Sequence, residues 1–361
     1  LSLPNHGANP NHLAKALGMA LPEHIDDFSV NTNPFGPPSS LSKMNLIDLL
    51  SDVSAYPDPH VSELTARLAK INNVPTSHLL VGNGAAELIF LIGSVFRQKK
   101  VRIIEPAFSE YRDACLAHDC QVESLVLEAP WKLEKKHINE AIKDIDVLFL
   151  CSPNNPTGVR FEDETMVALV EAAEQAGVYV VIDEAFYDFC EQNKGLQELI
   201  HSYSKLILLR SMTKMYAIAG IRLGYMLADE KLIQQIKKRQ PPWSVNGLAQ
   251  KMGLQLLEED AFVRQSVLSL STERERMRGE LVKLDFDISP STVNFYLVSE
   301  QKKEDLKPLM LFLAEQGIVA RHTYNFNGLN GKYLRLAVKD MQANDRLLHV
   351  MAKWRRQCSF S

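Results

Sequence analysis

The sequence is short of several things, and each shortage narrows the field. Among 361 residues there are only five cysteines, Cys115, Cys120, Cys151, Cys190 and Cys358. Their number is odd, their spacing is irregular and no Cys-x-x-Cys occurs. That argues against a disulfide scaffold or a cysteine-rich metal module and leaves reduced thiols as the reading. Cys115 and Cys120 could meet across a helix–strand turn, but a metal there would need further ligands, so no metal is expected. No apolar run reaches the ~20 residues that a membrane-spanning helix needs, and the opening residues carry no signal-peptide pattern. The expectation is a cytoplasmic protein with no membrane partner. Charge of one sign is scarce too: 40 Lys and Arg against 44 Asp and Glu give a formal net charge of -4. With an isoelectric point near 6.2, nothing recommends a nucleic-acid partner. The basic stretches Lys237-Lys238-Arg239 and Arg355-Arg356 read as solvated helix faces. Internal repeats and low-complexity tracts are also lacking.

What the chain does have is 46% hydrophobic and 23% charged residues, enough for one large domain and a second, smaller one. Residues 1–45 are rich in Pro and Asn, as in Asn31-Thr32-Asn33-Pro34-Phe35-Gly36-Pro37-Pro38. That composition predicts an extended arm without regular helix or central strand, lying over the rest of the molecule. From about residue 60, amphipathic stretches alternate with short apolar runs. Helical spacing covers 62–72, 85–96, 109–118 and 162–176; apolar runs cover 79–81, 101–104, 122–127, 146–151, 178–183 and 205–209. This alternation predicts an α/β architecture, a buried and mostly parallel sheet with helices on both faces. After residue 225 the pattern turns mainly helical, with long stretches at 248–259 and 262–284. Beyond them, 293–298, 318–321 and 333–338 read as strands, and 305–316 and the segment from about 345 as helices. The expected organisation is an arm at 1–45 associated with the small domain, a large domain at 46–255 and a small α+β C-terminal domain at 256–361.

The residues that carry chemistry fall at or just after expected strand ends, where ligands bind in open parallel sheets. Lys214 stands in Ser211-Met212-Thr213-Lys214, with Arg222 inside Gly220-Ile221-Arg222-Leu223-Gly224. A lysine flanked by hydroxyls and followed by a guanidinium fork suits a Schiff-base amine beside a phosphate. Asp183 ends an apolar run and could face a protonated pyridine nitrogen; a helix cap is the alternative. Asn154-Asn155-Pro156-Thr157-Gly158 follows the preceding run. The Asn155 amide could donate to a phenolic oxygen, although the segment is equally good turn chemistry. Val81-Gly82-Asn83-Gly84-Ala85-Ala86-Glu87 could aim helix N-terminal N–H groups at an anion, or simply turn the chain. Arg321 and Arg335 lie on short strands of the small domain and could clamp anionic groups, a surface ion pair being the alternative for each. Tyr324 and Phe326, near Arg321, could line the pocket or pack the small domain, packing being the favoured reading. An Asn, an Asp, a Lys and an Arg in this order, each near a strand end, point jointly to a pyridoxal-phosphate site.

This motif set resembles the fold-type-I, aspartate-aminotransferase-like enzymes over nearly the whole chain. Within that fold it is most similar to the branch shared by histidinol-phosphate aminotransferases and threonine-phosphate decarboxylases. Several stretches are similar to the decarboxylase side: His6-Gly7, Asp27-Phe28-Ser29-Val30-Asn31-Thr32-Asn33-Pro34 and Pro242-Trp243-Ser244-Val245-Asn246. So is Asp183-Glu184-Ala185-Phe186, with Phe where the aminotransferases usually have Tyr. The resemblance implies an enzyme with pyridoxal 5'-phosphate as cofactor. Lys214 would form the Schiff base, Asp183 would pair with the pyridinium, Asn155 with the phenolic oxygen, and Phe108, in Glu105-Pro106-Ala107-Phe108, would stack on the ring. It further implies phosphate contacts from the backbone at Gly84 and Ala85 and from Ser211, Thr213 and Arg222. Tyr56 would reach that phosphate from the second subunit of a homodimer. His6, Gly7, Asn31, Asn155, Arg321 and Arg335 would contact the substrate, a small phosphorylated amino acid. Phe186 cannot donate a hydrogen bond, so Asn155 alone of these residues is left for the phenolic oxygen. The implied reaction is decarboxylation of O-phospho-L-threonine to (R)-1-amino-2-propanol O-phosphate and CO2 in cobalamin biosynthesis. The alternative is transamination of histidinol phosphate with 2-oxoglutarate. A third reading, a regulatory module on the same fold, finds no helix-turn-helix segment or basic arm in the sequence to support it.

Overall fold

The computed structural model describes residues 3–4, 6–7, 9–44, 53–191, 195–301 and 303–358. The expected boundary at 45/46 lies outside the described residues. After a two-residue strand, β1 (Asp26–Asp27), come seven strands that form the main sheet: β2 (Leu79–Gly82), β3 (Lys100–Glu105), β4 (Gln121–Val126), β5 (Val147–Cys151), β6 (Tyr179–Asp183), β7 (Leu206–Ser211) and β8 (Gly224–Ala228). Their spatial order is β2-β8-β7-β6-β5-β3-β4. Strands β4, β3, β5, β6 and β7 run parallel, and β8 is antiparallel to both its neighbours.

The continuous apolar runs become two-sided strands, because successive side chains of a strand point to opposite faces. Leu148, Leu150, Val180, Ile182, Leu206 and Leu208 pack into one core, together with Met166, Leu169 and Val170 of the helix Asp163–Ala176. The intervening Val147, Phe149, Val181, Ile207 and Leu209 pack into another, with Leu88, Ile89 and Ile92 of the helix Gly84–Val95. Each such fully buried side chain contributes about 1.5–3 kcal/mol relative to an exposed one. The helix Asp163–Ala176 has acids in its first turn and ends on Gly177 in the left-handed conformation (φ 75°). Both features suit helix ends.

A four-stranded antiparallel sheet follows in the order β12-β13-β10-β9. Its members are β9 (Phe286–Ile288), β10 (Phe295–Glu300), β12 (Arg321–His322) and β13 (Leu334–Ala337), while β11 (Ile318–Val319) pairs in parallel with β1. A third core lies here, with Phe295, Val298, Leu309, Leu313, Leu336 and Leu347, and it takes in Phe28 of the arm and Met215. The arm joins the two sheets. Asp26 and Asp27 pair with Ile318 and Val319, Ala337 N donates to Phe28 O (2.9 Å), and Asn33 N donates to the Lys214 carbonyl (2.9 Å). Asn33 Nδ2 also donates to Met215 O (3.0 Å) and Ser266 Oγ (2.8 Å).

The structure corrects the sequence reading in three places. The arm contains a regular helix, Pro10–Leu17. Proline sits at its first turn, where its missing N–H costs nothing, Asn9 caps it by accepting from His12 N (3.0 Å), and Gly18 closes it at φ 69°. The Pro and Asn taken as helix breakers are its start signals. Second, Gly224–Ala228 is a buried strand, masked in the sequence by its place between a glycine-rich turn and a charged segment. Third, Glu230–Lys237 is a separate helix capped by Asp229, which the sequence reading did not distinguish.

Candidate active site

Strand register places the chemistry. Cys151 is opposite Asp183, Asp183 opposite Leu209, and Ser211 and Gly82 both opposite Gly224. The C-terminal ends of β2, β5, β6 and β7 and the start of β8 therefore share one edge. The segments that leave this edge carry Gly84, Asn155, Asp183, Lys214 and Arg222. They wall a cavity of about 290 Å³, closed on its other sides by the arm (His6, Gly7, Asn31) and by the small sheet (Arg321, Arg335). That is near the lower end of the sizes small-molecule sites take. The wall also includes Ala85, Phe108, Ser211 and Thr213.

One end of the cavity is built for an anion. Gly84 opens the helix Gly84–Val95 at φ 79°, and a side chain there would meet Arg222 Nη2 at 2.6 Å. No side chain caps that helix end, so its first N–H groups are free for a ligand. Arg222 lies against it, itself in the left-handed region (φ 62°), and donates from Nη1 to the Ala219 carbonyl (3.0 Å). Ser211 Oγ and Thr213 Oγ1 lie 2.8 Å apart. Two hydroxyls, a guanidinium and a helix N-terminus meeting at one point fit a phosphate group.

The middle of the cavity fits a pyridine ring. Asp183 is buried, with Tyr111 Oη donating to Oδ2 (2.6 Å) and Ala185 N donating to Oδ1 (2.9 Å). Burial raises its pKa, and the hydrogen bonds from Tyr111 and Ala185 and the charge of Lys214 work against that rise. A buried carboxylate on the wall, with no arginine against it among the described residues, is matched by a ring N–H⁺. Lys214 is partly buried, and its amine is pushed down to about 8, by burial first and then by Arg335 and Arg222, with Asp183 and Glu110 opposing. A lysine so shifted is a nucleophile near neutral pH. Asn155 accepts from Arg335 Nη1 through Oδ1 (2.6 Å), which turns its Nδ2 donor away from the guanidinium. Phe186 lines the wall beside Lys214, whose Nζ is 5.9 Å from the ring centre.

The far side of the cavity is cationic. Arg321 and Arg335 are direct partners across β12 and β13, both at most 6% exposed. Like charges placed opposite each other destabilise a sheet, so the pair needs anions to offset it. Arg335 Nη2 donates to the Ser29 carbonyl (2.7 Å), while its buried Nε has no partner among the described residues. Arg321 donates to His322 O and Asn325 Oδ1, each at 2.7 Å, and lies over Phe326 (5.1 Å). Phe326, for which packing was favoured over lining the pocket, lines the cavity. Tyr324 instead bonds to Asp305. At the mouth, His6 Nε2 lies 3.4 Å from Glu110 Oε1. Burial raises the Glu110 pKa against the influence of His6. Gly7 packs so closely that a side chain there would meet Ser29 O at 2.5 Å.

Of the site residues singled out in the sequence, Gly84 lies just behind the wall against Arg222, and Tyr56 stands apart from this cavity. It is 85% exposed and packs on Trp243 at 5.1 Å between ring centres. The sequence reading missed Tyr111, Glu110, Ser29 and Asn325, which support the wall through hydrogen bonds or charge. Tyr111 lies three residues after Phe108, in the first turn of the helix Glu110–Ala117, and that spacing was its one visible signal.

Comparison with known proteins agrees with this geometry. The aminotransferase class I and II pattern matches residues 23–351. The chain is 35% identical over 350 residues to the threonine-phosphate decarboxylase of Salmonella typhimurium, covering 96% of this chain and 95% of the relative. The solved histidinol-phosphate aminotransferase of Clostridium acetobutylicum superposes with a TM-score of 0.86 at 29% identity, covering 91% of this chain and 99% of that one. The L-threonine-O-3-phosphate decarboxylase of Porphyromonas gingivalis superposes with a TM-score of 0.81 at 25% identity, with the same two coverages, 91% and 99%. With its strand-end lysine, aspartate and arginine on a mostly parallel sheet, the chain belongs to the class I and II aminotransferase family.

Proposed function

We propose that the protein is a pyridoxal-phosphate-dependent decarboxylase of O-phospho-L-threonine, forming (R)-1-amino-2-propanol O-phosphate and CO2 for cobalamin biosynthesis. The observation that carries the choice of substrate is the buried, register-paired Arg321 and Arg335 facing a lysine-bearing cavity. Phosphothreonine brings a phosphate and a carboxylate in one molecule, one anion for each guanidinium. The threonine-phosphate decarboxylase relative at 35% identity supports the reaction.

Bound pyridoxal phosphate supplies an electron sink for the bond that breaks at the substrate Cα. The chain's own groups do the rest. Gly84, Ala85, Ser211, Thr213 and Arg222 would hold the cofactor phosphate, Asp183 would hold its charge at the ring nitrogen, Asn155 Nδ2 would donate to the phenolic oxygen, and Phe108 would pack against the ring. Arg321 and Arg335 would hold the substrate's two anions, and this remote binding energy would orient the substrate for the bond that breaks. Lys214, whose amine is pushed down to about 8, would hold the proton that the substrate Cα needs in place of the lost carboxylate. His6, Gly7 and Asn31 of the arm line the cavity and would shield the substrate from water. The working form is a cytoplasmic homodimer in which Tyr56 reaches the partner's phosphate site. The exposed pair of Tyr56 and Trp243 supports that interface, and Cys115, Cys120, Cys151 and Cys190 are free thiols, as suits a reducing compartment. The chain divides into the arm at 1–45, the large domain at 46–255 and the small domain at 256–361.

A second reading, transamination of histidinol phosphate, has a specific observation behind it, the superposition on an aminotransferase of that name. One pair of assays separates the two. The cofactor-loaded protein with O-phospho-L-threonine and no 2-oxoacid is expected to form the amino-propanol phosphate. Glutamate formed from histidinol phosphate only in the presence of the oxo acid partner, with no product from phosphothreonine, would reverse the assignment.

A further inference from the structure

Asp183 is the only carboxylate on the cavity wall among the described residues. Its charge is held far from solvent, and burial works to neutralise it. A neutral Asp183 would keep for itself the proton that an electron sink requires on the ring nitrogen. First among the groups that stand against that is one side chain, ahead of the Ala185 N–H and the Lys214 charge. Tyr111 is fully buried, and its hydroxyl donates to Asp183 Oδ2 at 2.6 Å. Its ring is held from two sides, stacked on Phe149 at 5.6 Å and edge-on to Phe108 at 5.9 Å. The hydroxyl direction is therefore set by packing on β5 and on the residue expected to cover the cofactor. Burial and the nearby carboxylate raise the Tyr111 pKa well above its ordinary value, so the group donates at every working pH. On the other oxygen, Ala185 N donates to Oδ1 at 2.9 Å. Two donors fix the plane of the carboxylate and leave its remaining lone pairs for the cavity.

The geometry points to Tyr111 as a positioning residue that keeps Asp183 anionic and aimed, so that the proton shared with the cofactor's ring nitrogen stays on the nitrogen. This rests on the cofactor reading above. A donor to a carboxylate lowers its basicity, and charge-assisted hydrogen bonds in a buried setting are the strong ones. Tyr111 touches no reacting atom; it acts through Asp183.

The test is equilibrium binding of two ligands to the cofactor-free protein: pyridoxal 5'-phosphate, and its 1-deaza analogue, in which C–H replaces the ring nitrogen. The analogue keeps the phosphate and aldehyde and so reports whether the rest of the site is folded. Wild-type protein prefers pyridoxal phosphate, because Asp183⁻ faces N–H⁺ in one case and C–H in the other. Tyr111→Phe is expected to weaken pyridoxal phosphate by roughly tenfold or more and to leave the analogue unchanged or tighter, so the preference collapses. In an Asp183→Asn background, Tyr111→Phe should change the preference no further. An unchanged preference in Tyr111→Phe, an equal loss for both ligands, or a full effect in the Asp183→Asn background would overturn the proposal. Wild-type protein that binds neither ligand would instead sink the cofactor reading itself.

Discussion

The large-sheet wall of the cavity carries charges of both signs, Asp183, Lys214 and Arg222, whereas the small-sheet wall carries Arg321 and Arg335 and no carboxylate among the described residues. The first wall sits at strand ends, each group on its own loop or turn, with Tyr111 and Ala185 already holding Asp183. It is arranged for a group that stays. The second wall sets two like charges directly opposite each other on adjacent strands, an arrangement that a sheet tolerates at a cost and that a dianionic ligand relieves. It is arranged for a group that comes and goes. A permanent occupant and a transient one thus leave different electrostatic marks on one cavity.

The comparison can be broken or sharpened by substitution. The largest effect is expected from Lys214→Ala, which should reduce turnover at least about a thousandfold and remove the absorbance change that marks covalent capture of the cofactor. Substantial turnover in that variant would undo the account of the first wall. Arg335→Met should come next, lowering kcat/KM about a hundredfold while cofactor affinity stays within a few-fold of wild type. The same variant should be no less stable without ligand, and its Tm in the absence of substrate should rise, because the opposed Arg321 charge loses its neighbour. Equal damage to cofactor and substrate binding would erase the division between the walls.

A smaller effect is a pH dependence. Lys214 has a folded-state pKa near 8 against an ordinary 10.5. Below about pH 8 the neutral amine falls about tenfold per pH unit, so the rate of cofactor capture should rise with that slope and level off above pH 8. The sign for stability follows from the same shift. Between about pH 8 and 10.5 the unfolded chain holds the proton and the folded one does not, so the cofactor-free protein should gain stability as pH rises through that window. Arg335→Met should move the capture profile to higher pH, since that arginine helps depress the lysine. The smallest effect is local: Asn9→Ala should cost about 1 kcal/mol by removing the cap of Pro10–Leu17, read as a lower Tm with little change in kcat.

How much of this was legible beforehand divides along the same line. The parallel strands β3, β5, β6 and β7 were readable because strands buried on both faces give largely apolar runs. Lys214, Asp183, Asn155 and Arg222 were readable because their motifs sit at those strand ends. Strand β8 was not, because antiparallel insertion between β2 and β7 leaves no signature of its own in five residues. Pro10–Leu17 was lost to a rule applied too broadly, since proline forbids a helix interior but favours its first turn. Tyr111 was invisible as a supporting group: its hydrogen bond spans 72 residues of sequence, and only the fold brings β6 against that helix. Arg321 and Arg335 could be named as candidates, but their opposition depends on strand register, which the sequence does not display.

The central claim is that the cavity removes a carboxylate from a phosphorylated amino acid instead of exchanging its amine. The most direct test is the fate of a labelled carboxyl carbon. The cofactor-loaded protein is given carboxyl-¹³C O-phospho-L-threonine, once without and once with 2-oxoglutarate. The account predicts one labelled CO2 for each amine product, at the same rate in both tubes. Label retained in a 2-oxoacid product, formed only when 2-oxoglutarate is present, would contradict it.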